Sequence, residues 1–370
     1  MKFVAIRSNL REAITTIQRA SGENSNLSIL KNTLIIVENN TITLTATNLE
    51  IAVTARVSGK IIEGGKITIP TVLLASLITN LQSDRVNVEK KENGLEVKTD
   101  NYEAVIQGLP AEDFPVTPQI GNTKQYLEIK GVILKEAIQQ VVVASQFSDL
   151  RPELNSILVD FSIENLKLVS TDGFRLAEKT IPGNAFTSKF AEPFRMLVPV
   201  KAAQEISRIV ADDDNVKIFK DENQILVTTE KVELISRLSE GNFPDYSAII
   251  PRAFITEATI NREEFLNAIK LASVFSQKNN ELKIAVHPAK KAIEVSSADQ
   301  SVGANAYLLA AKVKGDTTEA YFNAKYLFDA VKSTEGEDTF LGLQEEASPA
   351  LIKSFSDASY LHILKPILKA

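Results

Sequence analysis

Cysteine is absent from the 370 residues, and histidine occurs only at His287 and His362. The first absence excludes disulfides, thiolate nucleophiles and sulfur-ligated metals. The second leaves too few imidazoles for a His-ligated metal, and neither histidine neighbours a nucleophile, so no triad is signalled. Neither a GxxxxGK[ST] nor a GxGxxG pattern is present, which removes the usual phosphate-cradling loops. No run approaches 18 apolar residues, and MKFVAIRSNLREAI lacks the apolar core of a signal peptide. The expected location is the cytoplasm, with no membrane association and no cofactor. A net charge of −6 argues against a protein that coats nucleic acid by bulk positive charge.

What is present is repetition. TATNLEIAVTARV (45–57), VSTDGFRLAEKTI (169–181) and SSADQSVGANAYL (296–308) echo one another, with Thr47 to Thr171 spanning 124 residues and Asp172 to Asp299 spanning 127. A second echo joins ITIPTVLLASLITNL from Ile67, MLVPVKAAQEISRIV from Met196 and AYFNAKYLFDAVKST from Ala320. A third pairs LPAEDFP with LSEGNFPDY, Phe114 to Phe243 spanning 129 residues. Three markers in one order at nearly one spacing imply three copies of one domain, and 44% hydrophobic content is ample for three cores. Boundaries fall near Gly121–Lys124 and Pro251–Phe254, giving domains 1–122, 123–252 and 253–370.

Each copy opens with a strand and an amphipathic helix. The helical stripes are Leu10, Ile14 and Ile17, with Asn9 as cap; Leu134, Ile138 and Val141; and Phe265, Ile269 and Ala272 behind Asn261. Thr41–Thr47, Arg85–Lys91 and Leu95–Thr99 alternate apolar and polar residues between turn signals, as half-exposed strands do. Each unit is thus an α+β layer, two helices on a mainly antiparallel sheet.

Chemistry-bearing clusters are sparse. Asp172 in TDGFR, beside Arg175, occupies the usual place of Asp in a turn before glycine. Asp212–Asp214 carries enough carboxylate for a hard cation, but its position reads as the end of a helix. The helices themselves are biased: the stretches 8–20, 70–81, 131–146, 199–211, 261–278 and 322–333 hold ten basic and six acidic residues, which leaves −10 for everything else. Lys201 with Arg208, and Lys325 with Lys332, share helix faces seven residues apart, and the second pair follows the first by 124; Arg11 and Lys135 are also 124 apart. In Val72–Leu81, Leu74, Ile78 and Leu81 make a core stripe, while Leu73 and Leu77 widen it either within the domain or toward a neighbour.

LSILKNTLIIV (27–37), LTATNLEIAVTARV (44–57), LPAEDFP, STDGFRLAE and EGNFPDY together resemble the bacterial sliding clamp family, the DNA polymerase III beta subunit, along essentially the whole chain. The resemblance implies the DNA clamp fold, three repeated domains per subunit, and a head-to-tail homodimer closing a ring around double-stranded DNA. It implies a non-catalytic processivity factor whose partners are the polymerase III catalytic subunit, the clamp loader and other proteins carrying a clamp-binding motif. Arg11, Arg19, Lys135, Lys201, Arg208, Arg262, Lys270, Lys325 and Lys332 would then face DNA without reading bases. Carried over by position, a pocket for an apolar partner peptide would comprise Leu154, Thr171, Gly173, Phe174, Arg175, Leu176, Pro244 and Ile249, closed by Ile363, Leu364, Pro366 and Ile367. Leu176, Ile249 and Ile367 would accept its anchor, and Arg175 and Thr171 would orient its backbone. The tail KPILKA departs from the family's usual ending. The dimer contact would pair Leu73, Leu77 and the strand near Tyr102–Gln107 with Val274, Phe275 and the strand near Val302–Leu308. Other readings are a metal- or nucleotide-dependent enzyme using Asp172 and the Asp212 cluster, and a repeat scaffold binding proteins alone.

Overall fold

The computed structural model describes residues 1–22, 26–145, 150–276, 280–301, 303–345 and 347–368. Val302, in the third echo, lies outside the described residues, as do Gln146 and Lys278 at the ends of counted helical stretches. Six α-helices occur among the described residues: α1 Arg7–Ile17, α2 Thr71–Asn80, α3 Gly131–Val142, α4 Val200–Ile209, α5 Arg262–Ser273 and α6 Ala324–Ser333. The expected stripes are their buried faces, since Leu10, Ile14, Ile17, Leu134, Ile138, Val141, Phe265, Ile269 and Ala272 are all buried.

Capping differs among the copies. Asn261 Oδ1 accepts the Glu264 N–H at 3.0 Å, as the sequence suggests. Asn9 caps nothing: the strand Lys2–Ile6 runs straight into α1, which starts at Arg7 with Ile6 at the cap position. The Arg7 N–H instead donates to the Asp84 carbonyl at 2.8 Å, so a tertiary acceptor replaces a local one. In the middle copy a glycine begins the helix because a Cβ on Gly131 would lie 2.0 Å from the Ala211 carbonyl oxygen. Gly131 and Val132 donate to the Asp214 and Asp212 carbonyls at 2.8 and 3.1 Å. The Asp212–Asp214 turn therefore ends one helix and receives the start of another. Among the described residues no cluster of His, Asp or Glu is arranged to hold a metal ion.

Among the described residues every strand pairing is antiparallel, and the sheets do not stop at the repeat boundaries. One compact unit comprises Met1–Val132, Phe186–Phe190 and Arg208–Leu238, with a five-stranded and a nine-stranded sheet. The other comprises Ile133–Ala185, Ala191–Ser207 and Ser239–Ala370, with a twelve-stranded sheet. The middle copy contributes strands to both. In the first unit, Ile51–Ala55 pairs with Val232–Ser236, Ile51 opposite Ser236. In the second, Arg175–Lys179 pairs with Tyr360–Leu364, Arg175 opposite Leu364. Arg175 is the repeat counterpart of Ile51, so the echo strand of one copy meets the last strand of the next in the same manner at both joins.

Candidate functional site

The second echo forms a tight turn whose bonds are local. Thr171 Oγ1 donates to the Arg175 carbonyl at 2.7 Å and accepts the Gly173 N–H at 3.1 Å. Asp172 Oδ1 accepts the Phe174 and Arg175 N–H groups at 2.9 and 3.0 Å. Gly173 sits at φ +89°, which glycine adopts without penalty. The turn sequence explains the shape: an Asp two residues before two donors, then glycine. The first copy repeats it, with Thr47 bonded to the Ile51 carbonyl and Leu49 N–H, and Asn48 Oδ1 accepting from Glu50 and Ile51. There Leu49 occupies the glycine position at φ +76°, a strained place for a branched side chain.

This turn anchors the C-terminal segment. Lys365 N–H donates to the Phe174 carbonyl at 2.8 Å and Ile367 N–H to the Tyr321 carbonyl at 2.7 Å. Thr171, Gly173, Phe174, Arg175, Leu176, Ile363, Leu364, Pro366 and Ile367 thereby come together where two paired strands of the sheet end. Their exposure separates them. Phe174 is 61% exposed and Ile249 is also exposed, whereas Leu154, Ile363, Leu364 and Pro366 are buried. Leu176, expected to receive a peptide anchor, is 1% exposed in a core cluster with Leu158, Val169, Leu197 and Ile363, over which Phe243, Tyr246 and Ile250 pack. Its strand turns that side chain onto the sheet face that Phe243, Tyr246 and Ile250 cover. Pro244 lines a cleft of about 390 Å³ with Asp160, Lys167, Arg195 and Tyr246. Burial, with the Glu178 carboxylate beside it, pushes the Tyr246 hydroxyl pKa upward.

Arg175 is likewise committed inward. Its Nε donates to Asp172 Oδ2 at 3.0 Å, its Nη1 to Asp329 Oδ2 on α6 at 2.9 Å, and its guanidinium lies 4.0 Å from the Tyr326 ring centroid. Sequence reasoning missed Asp329 and Tyr326; their sole trace was an acid between Lys325 and Lys332 on a basic helix. Nearby, His362 is fully buried, its Nδ1 2.8 Å from the Tyr360 hydroxyl, and burial followed by the charge of Arg175 lowers its pKa to about 3.

The helix cations divide in two. Arg11, Arg19, Lys201, Lys270, Lys325 and Lys332 are exposed, while Lys135, Arg208 and Arg262 are partly buried. Arg208 donates to the Thr15 and Thr16 carbonyls at 3.2 and 2.7 Å, and Arg262 to those of Val331 and Lys332 at 3.2 and 2.7 Å. These carbonyls end α1 and α6, where the helix dipole is negative. Arg208 and Arg262, both expected to face DNA, thus also cap helix ends. Two helix acids are also engaged, Glu12 with Lys231 and Asp329 with Arg175.

Among the open strand edges, two are the repeat counterparts of the strands that meet at the internal joins. Glu103–Gln107 pairs only with Gly94–Lys98, and Gly303–Ala310 only with Ala292–Asp299. Apolar groups stand exposed on or next to them: Val105 (51%) and Leu308 (56%) on the strands and Tyr102 just before one; Val274 (55%) just past α5 and Leu73 (51%) on α2 are exposed as well. The widened stripe of α2 is therefore not covered within the chain, for Leu77 too is only partly buried.

Three family models match in order: the N-terminal domain of the DNA polymerase III beta subunit over residues 1–118, its central domain over 128–245 and its C-terminal domain over 247–367. The Beta sliding clamp of Bacillus subtilis is 26% identical over 99% of both chains, and that of Synechococcus elongatus 24% over 99% of both. A crystal structure of the DNA polymerase sliding clamp from Bacillus subtilis superposes with a TM-score of 0.93 at 25% identity, covering 100% of both chains. That of the DNA polymerase III subunit beta from Pseudomonas aeruginosa does so at 0.93 with 24% identity and the same coverage.

Proposed function

The chain belongs to the DNA polymerase III beta subunit family, the beta sliding clamps, and is a non-catalytic processivity factor; from that premise we propose how its residues hold a second copy, DNA and partner proteins. Two copies join head to tail into a ring of six domains, with limits at 1–122, 123–252 and 253–370 in each. The observation that carries this is the pair of open edges. At both internal joins an echo strand meets the last strand of the next copy, and the edges left over are the last strand of the first copy and the echo strand of the third. Carrying the register forward places Ile106 of one subunit opposite Gly303 of its partner, and Glu103 opposite Ala306. Leu73 and Leu77 would meet Val274 and Phe275 beside that joint. Its repeat counterparts support the pairing: Ala202, which matches Leu73 in α4, is buried, and Tyr326 in α6 lies under Arg175. The contact is heterologous, and two such contacts would close the ring.

The cations presented by this ring, Arg11, Arg19, Lys135, Lys201, Lys270, Lys325 and Lys332, would attract phosphates without reading bases, so that the ring slides. Arg208 and Arg262 would act beside them through their helix ends. Partner peptides would lie against Phe174, Pro244, Ile249 and Ile367, over the floor made by Leu154, Leu176 and Ile363. The polymerase III catalytic subunit, the clamp loader and other proteins with a clamp-binding motif are the proposed users, in the cytoplasm. A tethered polymerase that lets go of the primer end rebinds it, since the ring keeps its local concentration high.

Light scattering after size-exclusion chromatography at micromolar protein should give twice the 40.6 kDa chain mass. Loaded on nicked circular DNA, the protein should stay bound until the circle is linearised. A monomer in the first measurement, or loss that ignores topology in the second, overturns the ring.

A further inference from the structure

We propose that Asp329, together with Tyr326, positions the partner pocket: acting through Arg175 it fixes the Thr171–Arg175 turn to α6, and Arg175 is a positioning residue for the peptide. This rests on the pocket reading above. Arg175 is 8% exposed, with one face on Tyr326 and its donors shared between two carboxylates. Asp172 is the joint, because one of its oxygens shapes the turn backbone while the other holds the guanidinium. The first copy supplies the control. Thr47–Ile51 makes the same turn with Asn48 and Ile51 in place of Asp172 and Arg175, so the turn needs no charge to form. What the charges add in the second copy is attachment to a helix 154 residues away in sequence. The attached turn presents exposed Phe174 and hangs the tail from its carbonyl through the Lys365 N–H, so its placement sets the distance between the two sides of the pocket. A pocket wall held still before the peptide arrives costs less to order on binding.

The test uses the full-length dimer and a fluorescent peptide ending in leucine and phenylalanine. Asp329→Asn should weaken binding about tenfold, chiefly by faster release, and speed hydrogen exchange at the Phe174 and Arg175 N–H groups, with the unfolding midpoint and dimer mass unchanged. Arg175→Met should weaken it similarly, and the double variant no further, because both remove one tether. Tyr326→Leu, which stays apolar and removes the ring face, should also speed release and serves if Asp329→Asn fails to fold. Arg175→Met losing affinity while Asp329→Asn keeps it would mean direct contact and overturn the proposal, as would additive losses in the double variant. If the wild-type dimer binds no peptide, the pocket reading itself fails.

Discussion

At the scale of single residues, the buried polar groups described above trade exposure for fixed partners. His362 is the clearest case. Its imidazole is held neutral, with a folded pKa near 3 against 6.5 for a free histidine, because burial and then Arg175 oppose its charge. Between those values the unfolded chain binds a proton that the folded chain refuses. The stability is therefore whole above pH 6.5 and falls as the pH drops toward 3, by about 1.4 kcal/mol per unit from this one group. Urea midpoints at pH 7, 6 and 5 should show His362→Gln losing about one proton less of pH dependence than the wild type; equal slopes would remove the assignment. Asp357 adds to the same trend at lower pH: burial pushes its carboxyl up, but Lys179 at 2.7 Å and Ser359 outweigh burial and hold it below its ordinary value. Its contribution is present above the ordinary aspartate pKa and is lost as the pH falls through the depressed one. Arg175 illustrates the opposite limit of legibility. TDGFR announces a turn in the sequence, but nothing local to it announces that the arginine would face α6.

At the scale of elements, the helices were readable and their ends were not. A 3.6-residue stripe follows from which side chains avoid water, and it located the buried faces of α1, α3 and α5 correctly. Which group satisfies a helix terminus is decided by whatever the fold brings there. Asn261 does so locally, while Arg7, Arg208 and Arg262 reach carbonyls of other helices or of residues just past them. This sorts the basic residues by role. Arg262→Met should lower unfolding stability by about 1 kcal/mol and leave the slope of log affinity for DNA against log salt nearly unchanged. Lys325→Met should do the reverse, with stability intact and a slope shallower by up to about one unit. Urea denaturation and a salt titration of DNA binding, run on both variants, separate the two; identical behaviour would mean that the cap assignment is wrong.

At the scale of the whole molecule, the repeat makes an open end into a prediction. Each subunit spends two of its strand joins internally and leaves one pair of matching edges, flanked by exposed Leu73, Val105, Val274 and Leu308. Exposed apolar groups next to unpaired backbone are what an obligatory neighbour covers. Leu73→Glu combined with Val105→Lys should raise the dimer dissociation constant at least a hundredfold, about 3 kcal/mol in affinity. Because both side chains are exposed, denaturation of the separated subunit should change by less than about 1 kcal/mol. A dimer that survives unchanged in sedimentation would mean that these edges are not the joint. The sequence by itself determined what depends on local order: three copies, two helices in each, alternating strands, and helices richer in cations than the rest of the chain. Only the tertiary structure decided which arginines are tied to helix ends, that Leu176 is buried, that Asp329 holds Arg175, and which edges stay open. Burial periodicity is written every two or four residues, whereas the partner of a hydrogen bond or a strand edge is chosen among segments more than a hundred residues apart.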